Sequence, residues 1–151
     1  FITLLVPFAE RRIIKMKIKE NILGFAELAA AVILTVGSLT FFKACGAHDG
    51  MYMACHWAQN AAALSGIVLT VQSLLRIFIP NKAIKTGLSL GIFLLAAAVI
   101  FIPGTAISLC MMDTMRCHTI FKPAVIVVST VLIVIAGTDS VFGLIRQGKS
   151  K

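Results

Sequence analysis

The chain has 151 residues, of which 59% are hydrophobic and only 13% charged, and its formal charge is +8. Its mean hydropathy is +0.98. Soluble domains run at about a quarter charged and about half apolar residues, so these proportions exclude a disordered chain, a basic nucleic-acid-binding domain and most water-soluble enzyme folds. In a chain whose solvent is largely lipid, the excess of Lys and Arg reports orientation before it reports partners.

Taken in chain order, residues 1–15 are apolar and then basic, and no small-residue cleavage pattern separates them from the first apolar run. Met16 followed by Lys-Ile-Lys-Glu reads as a natural start. Residues 1–15 are expected to form a short basic amphipathic segment lying on the inner membrane surface. Residues 16–151 then form one transmembrane domain. Crossing the hydrocarbon takes about 20 mostly apolar residues in a helix, and four stretches qualify: 22–42, 58–79, 86–109 and 123–145. In lipid each backbone amide must be satisfied within its own segment, so helix is expected even for the Val- and Ile-rich fourth run. The connections 43–57, 80–85 and 110–122 are short, which makes sequence neighbours antiparallel neighbours in space. The fold class is therefore an all-α, polytopic four-helix bundle. Alanine triplets at 29–31, 61–63 and 96–98, and Gly87 with Gly91, are expected to let backbones approach closely.

Counting cations sets the orientation. Arg11, Arg12, Lys15, Lys17, Lys19, Arg76, Lys82, Lys85, Arg146, Lys149 and Lys151 fall on one side, against Lys43, Arg116 and Lys122 on the other. Both termini and the middle loop are expected in the cytoplasm, and the first and third loops outside.

All four cysteines lie in those two outer loops. The first contains Cys45 and then Met51-Tyr-Met53-Ala-Cys55-His56-Trp57; the second contains Cys110-Met111-Met112-Asp-Thr-Met115-Arg-Cys117-His118. Met-x-Cys-His thus occurs twice, at Met53–His56 and Met115–His118. The chain reads as two tandem helical hairpins with the same outer cap, related by an axis near the membrane normal. His48 and Asp49, flanked by Gly46 and Gly50, read as turn residues. Trp57 reads as an interfacial anchor.

Four spans carrying these two loop motifs, with a proline before the fourth span, resemble an uncharacterised prokaryotic membrane family known as domain of unknown function 4418. The resemblance covers residue 16 to about 147. It implies no established activity, and it implies an association with ABC transporters of the macrolide-exporter type. The chain departs from the family pattern just inside the second span, where Gln59 and Asn60 stand in place of an acidic residue.

Three chemistries suit the cysteines. Outside the membrane, oxidation is permitted and four cysteines allow three pairings; local bridges Cys45–Cys55 and Cys110–Cys117 would staple each hairpin tip. Thiolate, thioether and imidazole also suit a soft metal such as Cu(I), or zinc or haem, with Met53, Cys55, His56, Met115, Cys117 and His118 as candidate ligands. Met as a gap-filler in a small cap is the plain alternative. Covalent c-type haem is excluded, because Tyr52 and Thr114 stand where the first cysteine of its motif belongs. The third chemistry is a membrane thiol-disulfide oxidoreductase, which relies on a closely spaced reactive pair; no Cys-x-x-Cys occurs.

Acids within a span are expensive and point to function by default. Glu27 and Asp139 each lie roughly 9–10 Å inward from the basic end of their spans at 1.5 Å per residue. Their equal depth is compatible with a shared polar site with Arg76 as partner; the plain alternative is that each snorkels or pairs near the interface. No phosphate-cradling glycine loop, nucleophile with its base, or hydrolytic carboxylate pair is present. The functional expectation is a non-enzymatic accessory or binding subunit of a larger membrane complex, an ABC transporter in the first instance. Its partners would be the bilayer and other membrane subunits, not nucleic acid.

Overall fold

A computed structural model describes residues 2–42, 54–108, 114 and 116–149, with side chains described from residue 21 on. Its described residues are helical, without strands: α1 (Ile2–Leu39), α2 (Ala54–Phe78), α3 (Lys82–Ile100) and α4 (Lys122–Gly148), the last preceded by a single π-helical turn, Cys117–Phe121. Four of these stretches are long and apolar enough to cross a membrane: Asn21–Leu39, Ala54–Phe78, Lys82–Ile100 and Cys117–Gly148. Large apolar side chains face outward on every helix, among them Phe25, Leu64, Leu94 and Val127, each about 60% exposed. Such a surface in water would aggregate; in a bilayer it is simply the lipid-facing surface.

The helices follow one another around the bundle. α1 packs on α2 and α3 on α4, with α2–α3 and α1–α4 contacts closing the ring. The interior is made of small and branched residues at helical spacing. Ala31 and Leu34 on α1, Ala58, Ala62 and Leu69 on α2, Ile92, Ala96 and Val99 on α3, and Val125, Leu132 and Ala136 on α4 form one core. Without a hydrophobic driving force between helices in lipid, such small residues matter because they allow close packing. A close backbone approach lies at Gly66, where a Cβ would fall 3.1 Å from the backbone Cα of Thr35 on α1.

The glycine pair on α3 is not such a contact. Gly87 is exposed with no atom within 4 Å of its would-be Cβ, and Gly91 meets only the Gln72 side chain, at 3.8 Å. The reason is register: the buried face of α3 is Ser89, Ile92, Ala96 and Val99, and Gly87 and Gly91 fall off that stripe. Close approach on that side of the bundle comes instead at Gly143, where a Cβ would sit 3.1 Å from Cβ of Thr86.

Several helix boundaries differ from the sequence expectation, and both ends of α3 do so for a local chemical reason. α1 runs unbroken from Ile2 to Leu39, so residues 2–15 are helical and continuous with the first span. α3 starts at Lys82, four residues before Thr86, because Asn81 caps it: its Oδ1 accepts the Ala83 N–H at 3.0 Å. It ends at Ile100 and not at 109. Pro103 lies just beyond, and proline disfavours helix in the residue before it. Gly104 then turns the chain at φ 98°, and the turn is tied by its N–H to the carbonyl of Ile107 at 3.0 Å.

Candidate functional site

Arg76 lies in the last turn of α2, where its side chain is only 4% exposed. A guanidinium has five donors in a planar fork and stays charged, so a buried arginine needs acceptors. α1 supplies one from Glu27, which is fully buried: Arg76 Nη1 donates to Glu27 Oε2 at 2.5 Å. α4 supplies the other from Asp139, whose Oδ2 lies 2.5 Å from Arg76 Nη2. α3 completes the site through Ser89, whose hydroxyl donates to Asp139 Oδ2 at 2.7 Å and has the Lys85 carbonyl at 3.1 Å as a second acceptor. One residue from each of the four helices therefore meets at one level of the bundle.

The sequence alone singled out Glu27, Arg76 and Asp139, and the structure brings all three together. Ser89 escaped notice, because a hydroxyl within a span commonly bonds the carbonyl one turn earlier, as Ser73 does to Leu69 and Ser140 to Ala136. The available signal was depth: Ser89 is seven residues into a helix that begins at the same end as the acids. The network is not fully satisfied. Glu27 Oε1, Arg76 Nε and, one turn earlier on α2, Gln72 Oε1 are buried without a hydrogen-bond partner among the described residues.

Charged groups leaving water cost several kcal/mol each, and the geometry recovers this only when they pair closely. Here a guanidinium bridges two carboxylates on different helices. Packing alone would leave α2 and α4 on a diagonal of the bundle; the Arg76–Asp139 bond joins them across its interior. The arrangement is a clamp that ties all four helices.

At the opposite end, Cys55 and Cys117 are both fully buried, at the start of α2 and of the π-helical turn before α4. They thus occupy matching places in the two hairpins. His56 and His118 beside them are half-buried, and His56 Nε2 lies 3.2 Å from Asn60 Nδ2. Trp57 is 63% exposed, an outward position suited to an interfacial indole. Gln59 is buried and faces the bundle interior, and Asn60 beside it is half-buried. Cys45, Cys110, Met53, Met115 and the turn residues His48 and Asp49 lie outside the described residues. Among the described residues, no group of three or more His, Cys, Asp or Glu side chains is placed to hold a metal ion; of the candidate set, Cys55, His56, Cys117 and His118 are described and Met53 and Met115 are not.

A family model described as a domain of unknown function (DUF4418) matches residues 27–142. The matched region contains Glu27, Arg76, Ser89 and Asp139 as well as both cysteine-bearing loops. No curated protein and no solved structure matches the chain.

Proposed function

From the premise that this chain belongs to the DUF4418 family, we propose that it is a non-enzymatic integral membrane subunit that packs against a larger membrane complex. The observation that carries this is the Glu27–Arg76–Asp139 clamp. Groups that a pump or channel would present along a pathway are here turned inward and bonded to one another. A bundle locked in this way is a scaffold, and its outer apolar faces are what it has to offer a partner. An ABC-class exporter is the partner suggested by the family resemblance.

The reading includes an orientation and a cap. Both termini and the 79–81 connection lie in the cytoplasm, by the distribution of Lys and Arg. The cysteine-bearing tips lie outside, held by disulfides. Support for the staple comes from Cys55, which is buried at the head of α2.

Mild cross-linking in native membranes, followed by purification of the tagged chain, tests the reading. Recovery of a stoichiometric transporter subunit is the expected result. A chain recovered alone, as monomer or self-assembly, from membranes in which it is abundant would overturn it.

A further inference from the structure

The clamp has an entrance. A shallow crevice opens beside it, lined by Asn21, Gly24, Arg76, Ile77 and Lys85. Lys85 lies in the first turn of the third membrane-spanning stretch, so the mouth stands where hydrocarbon gives way to lipid headgroups. Among the described lining residues two are cationic, one is an amide and none is acidic. Arg76 spends its two terminal nitrogens on Glu27 and Asp139, while its Nε–H is buried without an acceptor among the described residues. Lys85 is half-buried in the crevice, unlike Lys82 and Lys149 at the same end, which are exposed.

The geometry points to a binding site for the phosphate of an anionic lipid headgroup, held by Lys85 and the Asn21 amide at the mouth of this crevice with Arg76 behind them. A phosphodiester oxygen accepts from an ammonium and an amide together, and a basic pocket between helix ends is the form such sites take in membrane proteins. The site is independent of the proposed partner complex. It predicts that lipid charge, not only lipid presence, matters to the isolated protein.

The test uses the purified full chain exchanged into phosphatidylcholine nanodiscs with or without phosphatidylglycerol, and reads retained lipid by native mass spectrometry after partial delipidation. The wild type should keep phosphatidylglycerol in preference to phosphatidylcholine. Lys85→Gln should lower that preference about fivefold, the weight of one lysine at an anionic surface. Asn21→Leu, which keeps all charges, should lower it too, while Lys149→Gln, outside the crevice, should leave it within about twofold. Equal losses for Lys85→Gln and Lys149→Gln would reduce the effect to diffuse attraction and overturn the site, as would no preference in the wild type. Stabilisation of the lipid-free protein by inorganic phosphate alone, abolished in Lys85→Gln, would assign the crevice to free phosphate and overturn the lipid.

Discussion

Replacing Arg76 by leucine is the perturbation with the largest calculable consequence. The side chain is 4% exposed and bonds two carboxylates, of which Glu27 has no exposure and Asp139 only 11% at its side chain. Its removal leaves two acids facing the same apolar interior with no cation between them. Breaking a buried pair costs about 3–5 kcal/mol because the remaining charge is stranded, and here two charges are stranded by one substitution, so the upper half of that range is expected. Removing all three charges together is different. A Glu27→Leu/Arg76→Met/Asp139→Asn variant keeps similar volumes, and the amide at position 139 can still accept the Ser89 hydroxyl. Such neutral replacements are often level with the original or better, so this variant should lie within about 2 kcal/mol of wild type. The assay is reversible unfolding from mild detergent into dodecyl sulfate, followed by the single tryptophan, Trp57. An Arg76→Leu protein as stable as wild type, or a triple variant no more stable than Arg76→Leu, would refute the reasoning.

Other perturbations have smaller expected effects. Ser89→Ala removes a hydrogen bond to a buried carboxylate and should cost about 1.5–3 kcal/mol in the same unfolding assay; no change would mean that Asp139 is fully served by Arg76. Gly66→Val puts a branched side chain against the Thr35 backbone and should cost about 1–3 kcal/mol by forcing α1 and α2 apart, read also as a loss of cross-linking between cysteines placed on those helices. Leu69→Ala, at a fully buried position, should cost about 2 kcal/mol, at the low end for buried leucines, because lipid solvates leucine as well as the bundle interior does. Epitope tags at both termini of the chain in sealed cells should become protease-accessible only after permeabilisation; digestion of either tag in intact cells would reverse the orientation assigned by the cation count.

The number and character of the helices were legible because lipid imposes a simple rule: about 20 apolar residues satisfy their own backbone as helix. Boundaries were less legible, for local reasons. Hydropathy alone carries the third span through Phe101 and Ile102 to 109, yet one proline and a positive-φ glycine end the helix at Ile100. The start at Lys82 depends on a capping amide, and lysine looks like loop in a hydropathy reading. Gly87 and Gly91 had the spacing of a packing motif, but spacing does not say which face of α3 turns inward. The charged residues were readable because an acid within a span has few places to go. Their assembly could be framed as one of two options, and choosing between them needed the rotation of α1, α2 and α4 about their own axes, which a wholly apolar helix conceals. Ser89 was hidden by its ordinary chemistry. The cap gave the opposite balance, with a clear repeated motif in sequence and only Cys55, His56, Cys117 and His118 of its candidate ligands among the described residues.

The most direct measurement is nitrogen–carbon dipolar recoupling by solid-state NMR in lipid bilayers, with label at the Arg76 guanidinium and at the Glu27 and Asp139 carboxyl carbons. Two couplings should appear together, one from Nη1 to the Glu27 carboxyl and one from Nη2 to the Asp139 carboxyl, each vanishing when its acid is replaced by leucine. An arginine coupled to only one carboxyl, or to neither and in contact with water, would contradict a bundle closed by a single guanidinium.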